Sequence, residues 1–193
     1  MKKFLLLFGA LLVFHSAVAQ GGAFGVKAGI NYSGAFGSGV DVDPKTGFVG
    51  GIYGLLEGRR IGLQAELLYS RQGFKDKTEP EGHTRNYMLN YLEIPLIVKI
   101  YPFRWISIDA GYQTAILLDT GREKIKIGSR REKSDMQNMR SINNSVVLGL
   151  SFRLGRKVDL SARYLLGISD LQNKDEGDML RSRAGQFTLG YRF

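Results

Sequence analysis

A chain of 193 residues suits one domain, and without any cysteine it holds neither a disulfide nor a thiolate metal site. A net charge of +9 fits a nucleic-acid partner, but the basic residues are scattered along the chain and its first residues read as an export signal, which excludes that partner. An all-β domain of this size needs no disulfide staples, so the missing cysteines decide little else.

The first element is the export signal. Lys2 and Lys3 form a basic start, Phe4 to Val13 is apolar, and Ala17-Val18-Ala19 is a small-x-small cleavage site. The apolar run is too short to span a bilayer as a helix. Removal of residues 1–19 leaves a mature domain at 20–193 with net charge +7, since only Lys2 and Lys3 are lost. The residue after the cut is Gln20 and not Cys, which excludes a lipid-anchored lipoprotein.

Eight alternating segments follow, and period two means strands. They span about 24–33, 47–57, 61–72, 88–100, 105–117, 144–154, 158–169 and 184–193. In the first, Val26, Ala28, Ile30 and Tyr32 oppose Lys27, Gly29 and Asn31. The second has apolar residues or glycine on both faces, so its parity stays open. From the third strand on the apolar row is clean, as in Leu92, Ile94, Leu96, Val98 and Ile100 against Glu93, Ile97 and Lys99. Pro95 lies inside the fourth strand, where its missing N–H predicts a bulge or a lost ladder bond.

An ordinary strand has about five or six residues. Strands tilted across an outer-membrane hydrocarbon layer need roughly nine to eleven, and these segments reach that length. The connections at 58–60, 101–104 and 155–157 are short, while those at 34–46, 73–87, 118–143 and 170–183 are long. Short turns on one rim and long loops on the other describe an all-β, eight-stranded, antiparallel up-and-down transmembrane barrel with both termini on the periplasmic rim.

A soluble barrel keeps its apolar row inside; a membrane barrel inverts this. Inversion is expected here because the apolar row is bulky at nearly every position, while the polar row carries small residues such as Gly149, Ser151 and Ser161 between its charges. Those charges are Lys27, Glu66, Glu93, Lys99, Asp109, Arg153, Asp159, Arg163 and Arg192, with Glu57 added if odd positions of the second strand face in. With Glu57 the row balances, as a closed interior requires because an unpaired buried charge is expensive. A salt-bridged polar plug is expected, with Arg153 opposite Asp159 across a three-residue turn. Phe193 and Tyr191 are expected beside Phe103, Trp105 and Phe152 in a periplasmic aromatic girdle, with Tyr32, Tyr69 and Tyr164 toward the far rim.

The stretches "FGVKAGINYS" at 24–33, "LQAELLYSRQGF" at 63–74, "NYLEIPLIVKIY" at 90–101, "DAGYQTAIL" at 109–117, "LSARYLLGISDL" at 160–171 and the ending "LGYRF" carry a further reading. Together they resemble the PorT-like outer-membrane β-barrel proteins of Bacteroidetes. The resemblance implies a Gram-negative, porin-like, eight-stranded barrel in the cell outer membrane, inserted by the barrel assembly machinery, with Tyr191 and Phe193 in the insertion signal. It implies no activity; the namesake serves a secretion system, but the shared motifs are barrel motifs.

Chemistry is sparse. Past the signal the single histidine, His83, lies in a long loop, and Glu66 and Glu93 have lumen cations as expected neighbours, so no nucleophile–base pair and no metal-ligand spacing emerges. The expectation is a non-enzymatic barrel without cofactor, monomeric, contacting outer-membrane lipids and lipopolysaccharide, with no nucleic acid. The loop at 119–144, with seven basic and four acidic residues, is a candidate contact for anionic lipopolysaccharide or a protein, and "EKIKI" within it could extend the fifth strand. The competing readings are a soluble periplasmic lipocalin-like carrier, an accessory barrel of a secretion system, and a narrow channel.

Overall fold

A computed structural model describes residues 22–36, 42–76, 85–122, 142–168 and 181–193. The expected signal peptide, His83 and "EKIKI" lie outside them. Eight strands run in chain order: β1 (Ala23–Phe36), β2 (Val42–Glu57), β3 (Ile61–Asp76), β4 (Arg85–Phe103), β5 (Ile106–Arg122), β6 (Ile142–Leu154), β7 (Val158–Gly167) and β8 (Arg181–Arg192). Each pairs antiparallel with the next, and β1 pairs with β8, so the sheet closes into an up-and-down barrel without an edge.

Most strands run farther toward the long connections than the sequence expectation, β4 starting at Arg85 and β5 reaching Arg122. The ladder continues because pairing satisfies backbone groups whether or not side chains alternate. At the opposite rim the expected 101–104 connection shrinks to 104–105. Residues 101–103 stay in β4 through an irregularity between Ile100 and Phe103, and Trp105 sits in the turn and not in β5.

Pro95 produces no bulge. The β3–β4 register is the same on either side of it, Ala65 facing Leu96 and Leu68 facing Glu93, and only the rungs between them are absent. Of the two expected outcomes, the lost ladder bond is the one that occurs.

Closure settles which face is inside. Leu63, Leu96, Ile108, Leu148, Leu160 and Phe187, on the apolar row, are exposed around the outside. Lys27, Glu66, Glu93, Lys99, Asp109 and Arg163 are buried within. A contiguous apolar belt of this kind suits lipid and not water, which removes the soluble-carrier reading. Strand β2 resolves with Val49, Tyr53 and Leu55 buried inside, which places Glu57 on the lumen row as well.

Candidate functional site

The lumen charges form two clusters. At mid-barrel Glu66 (β3) joins Lys27 (β1) and Arg163 (β7). Lys27 Nζ lies 2.7 Å from Glu66 Oε1, while Arg163 donates from Nη1 to Oε2 at 2.9 Å and approaches Oε1 with Nη2 at 2.9 Å. Gln64 also donates to Glu66. Arg163 Nη2 lies 3.6 Å from Asp109 Oδ2 (β5), and Lys99 (β4) donates to both Asp109 oxygens at 2.9 and 2.7 Å. Ser107 and Ser151 complete the shell of Asp109 at 2.8 and 2.6 Å. Side chains in these pairs are no more than 7% exposed, so water screens them little.

The second cluster closes the short-turn rim. Arg153 (β6) grips Glu57 (β2) with two bonds of 2.7 and 2.8 Å, and Arg192 (β8) bridges Glu57 at 2.9 Å and Asp159 (β7) at 2.6 Å. Arg153 does stand opposite Asp159 in register, but its Nε is 3.7 Å away; the two-pronged partner is Glu57 across the lumen. A planar guanidinium favours a carboxylate that it can meet with two parallel bonds. Between them the clusters draw a charged side chain from every one of the eight strands.

Glu93 stands apart from both. It is fully buried and is held by neutral amides, Gln72 Nε2 at 2.7 Å and Gln186 Nε2 at 3.4 Å. Its partners in register are Leu68 and Ala115, so no cation flanks it along the sheet. Elsewhere the interior is apolar: Ile97, Val147, Leu165 and Ala184 form one packed group, and Leu89, Tyr91 and Ala115 another. Sequence reading placed Ile97 on the inner row but passed over the rest of these apolar groups and over Tyr53, whose hydroxyl reaches Asp159 at 3.4 Å. Their parity with the charged row was the available signal.

Glycine on the inner row makes room for the large side chains. A Cβ at Gly149 would meet Arg163 Cγ at 2.7 Å, and one at Gly25 would meet the Tyr53 ring at 2.6 Å.

Aromatic contacts mark the short-turn rim. Trp105 stacks between Phe103 and Phe152, with centroids at 6.0 and 6.3 Å. Phe193 belongs to a separate group: it stacks on Phe24 at 5.9 Å and meets Tyr191 edge-on at 5.8 Å. The β1–β8 seam brings Phe24 there, and Phe193 N–H donates to the Phe24 carbonyl at 2.9 Å.

Among the described residues no group of carboxylates or histidines has the arrangement of a metal site. A family model described as an outer membrane protein β-barrel domain matches residues 18–173. Among solved structures, Neisserial surface protein A is similar with TM-score 0.56 and 17% identity over 88% of this chain and 97% of that one. The attachment invasion locus protein Ail of Yersinia pestis is similar with TM-score 0.51 and 16% identity over 89% of this chain and 99% of that one. No curated protein matches the sequence significantly.

Proposed function

The chain belongs to the outer membrane protein β-barrel domain family and resides in the outer membrane, and from that premise we propose that it is a closed, non-conducting scaffold that acts through its long connections. The observation that supports this is the ion-paired chain Lys27–Glu66–Arg163–Asp109–Lys99, which runs between five strands through the lumen. An eight-stranded barrel is just wide enough for its own side chains, and here they pair with one another. Glu66 is engaged by two cations, and Glu93 is enclosed in the lumen with two amides as hydrogen-bond donors; the proposed role is non-enzymatic.

The same reading takes residues 1–19 as an export signal and Tyr191 and Phe193 as the strand-end signal met by the assembly machinery, with the barrel working as a monomer among lipids and lipopolysaccharide. The motif resemblance supports a place among PorT-like barrels of Bacteroidetes. Planar-bilayer recording of the purified protein tests the closed lumen. No steady conductance is expected, and large stable channels would overturn it.

A further inference from the structure

The short-turn rim carries cations without matching acids. The three turns contribute Arg59 and Arg60, then Arg104, then Arg156 and Lys157, all exposed, and none of the turns holds an Asp or Glu. The nearest carboxylates along the chain, Glu57 and Asp159, are already engaged by Arg153 and Arg192. Lys157 lies over the Tyr191 ring at 5.7 Å.

Two of these turns flank an open, shallow cavity of about 400 Å³ lined by Arg104, Trp105, Arg153, Gly155 and Arg156. The turns are tied together: Arg153 N–H donates to the Trp105 carbonyl at 2.8 Å. Gly155 has φ of +68°, a conformation that favours glycine, and the space where a side chain would stand is open. With Arg153 committed to Glu57, the cavity presents two guanidinium groups, Arg104 and Arg156, beside an indole. The stacked Phe103–Trp105–Phe152 row fixes the level of this cavity, because such aromatic rows sit where hydrocarbon meets headgroups. The rim of short turns and termini faces the periplasm in barrels of this class.

We propose that this cavity seats the phosphodiester headgroup of an anionic phospholipid of the periplasmic leaflet. Arg104 and Arg156 meet the phosphate oxygens, and the acyl chains descend along Trp105 and Phe152. Guanidinium suits the site because its planar fork matches phosphate oxygens. The position at headgroup level selects a lipid over a free phosphate. This inference rests on placement in the outer membrane and is independent of whether the lumen conducts.

Trp105 is the chain's sole tryptophan, so its fluorescence reports from the site itself. The mature chain is reconstituted in zwitterionic vesicles doped with brominated-chain phosphatidylglycerol or with brominated-chain phosphatidylethanolamine. Half-maximal quenching is expected at a roughly tenfold lower mole fraction of the anionic lipid, in line with two cations near a charged surface. Arg104→Gln with Arg156→Gln should abolish that preference, while Arg59→Gln with Arg60→Gln should retain most of it. Both pairs change exposed turn residues, and an unboiled gel shift verifies that each barrel is folded. Equal quenching by the two lipids, or a preference unchanged in the Arg104/Arg156 variant, would overturn the proposal. Relief of quenching by inorganic phosphate would reassign the cavity to free phosphate and overturn the lipid seat.

Discussion

Replacing Glu66 by Gln removes one negative charge from a cluster of three cations, Lys27, Lys99 and Arg163, and two carboxylates, Glu66 and Asp109. The Gln carbonyl still accepts a bond, but Lys27 loses the charge that holds it and Arg163 keeps only Asp109, at side-chain exposures of 2% and 1%. Breaking a buried pair by removing one partner costs about 3–5 kcal/mol, because the other charge stays buried without compensation. Summing separate charge-assisted bonds would count the same attraction more than once. Glu57→Gln is the comparison. Glu57 meets Arg153 and Arg192 where the side chains are 29%, 20% and 12% exposed, so water screens these pairs and the loss should be smaller than at Glu66. Urea unfolding in detergent, followed by gel mobility and circular dichroism, measures both. Lys27→Met in the Glu66→Gln background should recover part of the loss by removing one orphaned cation. If Glu66→Gln costs no more than Glu57→Gln, the mid-barrel network is not an enclosed, poorly screened cluster.

Gly149→Ala should destabilise by about 1–3 kcal/mol in the same assay, since its Cβ would fall 2.6 Å from the Ala162 carbonyl oxygen and 2.7 Å from Arg163 Cγ, although alanine otherwise suits a strand better than glycine. An unchanged midpoint would mean that the β7 backbone at Ala162 and the Arg163 side chain both have room to shift. Phe193→Ala should leave thermal unfolding of refolded protein nearly unchanged: the Phe193 N–H bond to Phe24 survives, and the lost ring contacts account for only about 0.5–1.5 kcal/mol. In cells the same variant should accumulate outside the membrane, and normal insertion would show that the ring only packs against Phe24. Purified protein in detergent should give a β-rich circular dichroism spectrum and heat-modifiable migration; a helix-rich spectrum would contradict the fold.

Alternation along the chain was enough to place all eight strands, because in a strand the side chains change face at every residue whatever the sheet around them. It sorted Lys27, Glu66, Lys99, Asp109 and Arg163 onto one face for the same reason. The family resemblance lay in these strand motifs, and its coarser part, an outer-membrane β-barrel domain, is what residues 18–173 match. Parity names two rows but not which row is inside; closure of β1 on β8 does that.

Closure also chose the partners. Arg153 and Asp159 are close in sequence, yet Glu57, 96 residues away, takes the two-pronged bond, because distance across a lumen depends on barrel width and stagger and not on chain separation. The same geometry set Glu93 among amides, and it carried Phe193 to Phe24 and away from Trp105. The sequence by itself determined the strands and their two faces, since both follow from the local pleat. Only the closed barrel decided the direction of the faces and the pairing of the charges, since both are set by contacts between strands remote in the chain.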